Sequence, residues 1–60
     1  MLDINGHKIL LGSIVKPLFG FWKGFEGEVI EIKGNEYPIT VQFEERETNS
    51  YYSEQIEVII

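Results

Sequence analysis

Tyr37-Pro38-Ile39-Thr40-Val41-Gln42-Phe43-Glu44 sets large apolar side chains at every second position. That is the period of an extended strand with one face in a core and the other in water. Tyr37, Ile39, Val41 and Phe43 are expected to point inward, and Pro38, Thr40, Gln42 and Glu44 outward. No window reads at helical period over ten residues, so the chain as a whole is all-β. Upstream, residues 26–32 form a second strand whose apolar spacing slips between Val29 and Ile32, as a bulged, curved strand would show. Gly34-Asn35 turns the chain between the two. Downstream, a turn over 45–49 leads to a short strand at 50–52, in which Tyr51 and Tyr52 take opposite faces. Ser53-Glu54-Gln55 makes one helical turn before a last strand at 56–60.

Residues 13–17 supply the first strand of the sheet, ended by Pro17, which cannot donate to a central ladder. The opening reads as a hairpin because Asn5-Gly6 suits a two-residue primed turn. In that register Asp3 faces Lys8 and Leu2 faces Ile9. Five short, strongly bent strands, a long loop after the first and a single turn before the last are the layout of an SH3-like barrel, which also spares so short a sheet its bare edges. One domain is expected over 1–60, with the hairpin at 1–11 and the barrel at 12–60.

The 60 residues are 43% hydrophobic, with ten acidic side chains against five basic ones for a formal net charge of -5. A chain this short hides only about 60% of its unfolded surface, so most large apolar side chains are needed for the core and little remains to enclose a catalytic pocket. There is no cysteine, which removes disulfides, thiolate metal sites and a thiol nucleophile together. His7 is the sole histidine and has no partner ligand at metal-site spacing, and no serine has a base beside it in sequence. We therefore expect no enzyme, no cofactor and no metal. No basic stretch followed by an apolar one opens the chain, and apolar runs are short, so neither signal peptide nor membrane helix is expected, and the location read from this is cytoplasmic. The charge is uneven: residues 34–60 carry six glutamates and Arg46. That half should present an acidic surface centred on Glu44, Glu45 and Glu47.

Gly12-Ser13-Ile14-Val15-Lys16-Pro17, Gly27-Glu28-Val29, Tyr37-Pro38-Ile39-Thr40-Val41-Gln42-Phe43 and Glu54-Gln55-Ile56-Glu57-Val58 together resemble the bacterial SH3-like small-barrel superfamily. That group includes KOW-type modules and the photosystem I PsaE family, and the resemblance covers about residues 12 to 59. Phe21-Trp22, Gly27-x-Val29 and Tyr37-Pro38-x-x-Val41-x-Phe43 occupy the places of the PsaE pattern. The head, Asp3 to Ile9 leading into Gly12-Ser13, resembles small bacterial and prophage proteins of the same barrel type. A PsaE-like role implies an accessory subunit of a ferredoxin-linked electron-transfer complex, on the stromal side. A KOW-like role implies an RNA- or ribosome-binding module. Gln42 stands where the PsaE pattern usually has an arginine associated with ferredoxin docking, and the net charge has the wrong sign for attracting an acidic partner.

The segment 16–27 sets Phe19, Phe21, Trp22 and Phe25 within seven positions. Phe25 and Leu18 are expected to fold back over the open end of the barrel. Phe21 and Trp22 are expected to stay partly exposed, where aromatic rings with a polar rim concentrate binding energy. The binding residues read from the sequence are thus Phe19, Phe21 and Trp22, flanked by Lys16 and Lys23. A protein partner fits these best, with the protein a monomer or weak homodimer. Nucleic acid is disfavoured by the charge, since its recognition needs a clustered basic footprint. A proline-peptide groove lacks its usual Ala-Leu-Tyr-Asp-Tyr signature here.

Overall fold

β-branched residues recur in five short segments, and these segments pair into one antiparallel sheet. The computed structural model describes residues 1–34, 36–44 and 46–59. Its strands are β1 (Ile14–Pro17), β2 (Gly27–Ile32), β3 (Ile39–Gln42), β4 (Thr48–Tyr51) and β5 (Ile56–Val58), with a 3-10 turn at Ser53–Gln55. The strand order is β4-β3-β2-β1-β5. Each of the first four strands lies beside its sequence neighbour, and β5 returns to pair with β1 through Val15–Val58, Lys16–Glu57 and Pro17–Ile56. Among the described residues no helix is long and apolar enough to cross a membrane.

The core is made by Ile9, Val15, Val29, Ile39, Val41, Tyr51 and Ile56, with Phe43 and Val58 packed against it. Each fully buried Val or Ile contributes about 1.5–3 kcal/mol of transfer free energy, so this set dominates the stability of so small a chain. The slip in the second strand is a real irregularity. The β2–β3 register shifts between Val29 and Glu31, which leaves Ile30 as the extra residue and turns it to the exposed side.

Three expectations about the ladder need correction. The strand expected over 37–44 is shorter, because Tyr37 lies outside it in the left-handed region, with φ 50. It is 48% exposed, and its ring rests on Tyr52 at a centroid distance of 4.5 Å. Pro38 disfavours the right-handed helical conformation in the residue before it, and Tyr37 makes its turn with a positive φ. The strand expected at 50–52 instead begins at Thr48, because the Phe43 N–H reaches the Glu47 carbonyl at 2.8 Å and closes the β3–β4 turn early. The last strand ends at Val58, before Ile59, and the predicted Ile60 end, like Asn35 and Glu45 in the two predicted turns, lies outside the described residues.

The N-terminal hairpin is present in another register. Leu2 bridges Lys8, not Ile9. The Asp3 N–H donates to the His7 carbonyl at 2.8 Å and the Gly6 N–H to the Asp3 carbonyl at 3.1 Å, so Ile4-Asn5-Gly6 forms a three-residue loop. Gly6 supplies its left-handed residue, with φ 83, the pattern of a type I turn followed by a bulge. Asp3 is therefore not opposite Lys8. Its carboxylate is buried and accepts the N–H groups of Asn5 (2.9 Å), His7 (2.7 Å) and Val58 (2.6 Å). Burial alone would push this carboxyl up, but the Val58, His7 and Asn5 donors and the nearby His7 imidazole outweigh it and hold it below its usual 3.8. With the Ile4 N–H on the Ile56 carbonyl at 3.3 Å, the hairpin is clamped along β5.

Candidate functional site

The loop between β1 and β2 is rich in rings, and its glycines decide how the rings are displayed. Gly20 and Gly24 have φ values of 82 and 83, with open space where a Cβ would stand, so they provide conformation and not room. The turns they permit are closed by Lys23 N–H to Gly20 carbonyl (3.2 Å) and Phe25 N–H to Trp22 carbonyl (2.9 Å). The loop is pinned at its base, where the Leu18 N–H donates to the Gln55 carbonyl (2.8 Å) and the Gly24 N–H to the Pro17 carbonyl (3.2 Å).

On this frame the rings form a ladder from core to surface. Tyr51 is buried and meets Phe43 edge-on at 6.3 Å. Phe43 is half-buried and carries Trp22 flat upon it, with centroids 4.6 Å apart and planes 3° from parallel. Phe21 and Phe25 stand edge-on to Trp22 at 5.0 and 5.3 Å. Edge and offset-stacked geometries of this kind add about 0.5–1.5 kcal/mol per pair beyond area burial. Trp22 is thus half-buried, while Phe21 is 83% exposed and Phe19 60%.

Phe25 departs from its expected place. It is 51% exposed and does not fold over the core; Phe43 packs there instead, and the Phe25 ring stands edge-on to Trp22. Leu18, expected with it, is half-buried. Of the five binding residues read from the sequence, the structure brings Phe21 and Trp22 into direct contact. Phe19 makes no ring contact among the described residues. Lys16 is half-buried on β1, in register with Glu57 of β5, and Lys23 is exposed on the turn. Neither lysine forms an ion pair among the described residues.

Sequence reasoning missed a groove beside these rings. Ile14, Glu26, Gly27, Glu28, Gln42, Phe43 and Glu44 line a shallow depression of about 400 Å³. Gly27 lies where β2 passes close to β3: a Cβ there would fall 2.6 Å from Val41 Cγ1, 2.8 Å from Phe43 Cδ1 and 2.9 Å from the Gln42 carbonyl oxygen. The available signal was the glycine of Gly27-x-Val29, which marks a close approach of β2 to Phe43. Of the predicted acidic surface, Glu44 is exposed and lines this groove and Glu47 is exposed, while Glu45 lies outside the described residues.

A second depression, about 420 Å³, is lined by Lys33, Glu36, Tyr37, Thr40, Asn49 and Ser50. At its floor the Asn49 side chain accepts the Ser50 N–H at 3.1 Å and donates to the Tyr51 hydroxyl at 3.2 Å. The first contact occupies a donor of β4, a strand at one end of the sheet, and so makes that edge less able to pair with another chain. Burial pushes the Tyr51 hydroxyl up from its ordinary value of 10.0, partly offset by the Asn49 hydrogen bond. Among the described residues no group of three or more His, Asp or Glu side chains is placed to hold a metal ion.

Comparison of the chain with family models, with curated proteins and with solved structures finds no match.

Proposed function

We propose that this chain is a non-catalytic, SH3-like small barrel that docks on a larger protein through the ring-bearing loop between β1 and β2. The observation that carries the reading is the exposure of Phe21, Phe19 and Phe25 around a Trp22 held flat on Phe43. A domain with so few apolar residues to spare loses stability by leaving three Phe rings in water, and exposed aromatic groups on a rigid support are the commonest anchors of protein interfaces. The barrel reading is supported by the return of β5 to β1 and by the single 3-10 turn before β5, as the resemblance to the bacterial small barrels implies.

A PsaE-like role at a ferredoxin-linked complex has less support, because Gln42 stands in place of the arginine and the three glutamates that line the groove with it would repel an acidic partner. A KOW-like role on RNA meets the same carboxylates. The test is retention from the native cell lysate by wild type and by Phe21→Ser side by side, with and without nuclease. A protein held by wild type, lost with Phe21→Ser, unaffected by nuclease and bound again as a purified component supports docking. Equal retention by both forms removes the loop as the surface, and retention abolished by nuclease moves the function to nucleic acid.

A further inference from the structure

We propose that the partner surface recognised by the ring face is a basic segment, laying apolar side chains on Phe21 and Phe25 and an arginine in the groove beside Phe43. The inference rests on the docking reading above and adds the chemistry of the partner. Phe43 belongs to both features: it supports Trp22 and lines the groove with Glu26, Glu28 and Glu44. Rings and carboxylates therefore form one continuous surface. Among the described residues no basic side chain lines the groove; Lys16 lies in register with Glu57, Lys23 is exposed on the outer turn, and Arg46 is exposed in the turn that follows Glu44.

Charge selects the occupant. The chain carries a formal net charge of -5, so a cationic segment is steered toward it and an acidic one away. A second copy of this chain is a poor occupant, because a two-fold pairing of this face would set the same three glutamates against each other. Size points the same way. The exposed parts of Phe19, Phe21 and Phe25 amount to about 400 Å², taking about 200 Å² for a whole Phe, against about 800 Å² per partner in a standard stable interface. That suits a short segment better than a whole folded face. Arginine is favoured over lysine because its planar fork can meet two carboxylates while its face lies on a ring.

The test titrates the intact protein into fluorescently labelled synthetic peptides of alternating Arg-Leu, Lys-Leu and Glu-Leu, and into a labelled uridine oligonucleotide, reading anisotropy at low and physiological salt. The expected order is Arg-Leu tighter than Lys-Leu, with Glu-Leu at least about a hundredfold weaker than Arg-Leu. The double variant Glu26→Gln, Glu44→Gln, both sites being exposed and checked for folding by circular dichroism, should weaken Arg-Leu about tenfold. Phe21→Ala should weaken all apolar peptides alike. If the Glu-Leu peptide binds as well as Arg-Leu and Phe21→Ala still weakens both, the docking reading stands and the basic partner is refuted. Peptide binding that ignores both the glutamate variant and Phe21→Ala, or no peptide binding at all, overturns the proposal together with its basis. Preference for the oligonucleotide overturns it in favour of RNA.

Discussion

Replacing Trp22 with alanine removes the ring that lies flat on Phe43 and carries Phe21 and Phe25 on its edges. Truncating a fully buried Trp or Phe costs about 3–5 kcal/mol. Trp22 is half-buried, so about 2 kcal/mol is expected. A chain of this length has a total stability of about 3–9 kcal/mol, and the loss should lower the melting temperature by about 8–16 °C. Phe21→Ala, at a ring 83% exposed with one edge contact, should cost no more than about 0.5 kcal/mol. Because the variant lacks the only tryptophan, unfolding is followed by far-ultraviolet circular dichroism in urea and by calorimetry. A double-mutant cycle between Trp22 and Phe43 should return a coupling of about 1 kcal/mol. A silent Trp22→Ala, or a coupling near zero, would mean that the two rings do not stack. Equal losses from Trp22→Ala and Phe21→Ala would refute the ladder from core to surface, since Phe21 would then be covered.

Gly27→Ala should cost about 2 kcal/mol or more by overpacking, since the new Cβ would stand 2.6 Å from the branched Val41 side chain and 2.9 Å from a backbone oxygen. A neutral result in urea unfolding would show that β2 has room to move. Phe43→Ala should destabilise by about 3 kcal/mol, more than Trp22→Ala, because its ring touches the core at Tyr51 as well as Trp22; the same unfolding assay ranks the two. Asp3→Asn should cost about 1.5–3 kcal/mol at neutral pH, where three backbone donors share the carboxylate. The Asp3 carboxyl is held below 3.8 in the folded chain, so its contribution is fully present above that pH and is lost as pH falls through the lower folded value. The gap between wild type and Asp3→Asn, measured in urea at pH 6 and at successive steps below pH 4, should therefore narrow on acidification, and a gap that widens would contradict the assignment.

Much of the sheet was legible because its signals are local. Ile39 and Val41 fall on the buried face that alternation assigned, and the slipped spacing between Val29 and Ile32 marked the bulge that displaces Ile30. Where the reading of the hairpin erred, a contact distant in sequence was involved. The hairpin register follows from Asp3 taking the Val58 N–H, 55 residues away, and no propensity near Asn5-Gly6 contains that partner. Tyr37 had the right period for the core, but alternation fixes which face a residue takes only while the strand lasts, and its positive φ lies before β3 begins.

The same distinction explains the candidate site. A cluster of four rings in the segment 16–27 shows that something apolar is displayed, but not which ring is the support and which is the contact. Phe43 settles that, because it sits at the end of β3 where Gly27 of the neighbouring strand offers no Cβ, and the space so opened admits its ring above Tyr51. Trp22 is then the ring that can stack on Phe43 with its planes parallel, and Phe21 and Phe25 are left to its edges. Gly27 therefore connects fold to function through one missing atom: filling it should disturb Phe43, then Trp22, and so weaken binding at Phe21, even though Gly27 itself is buried.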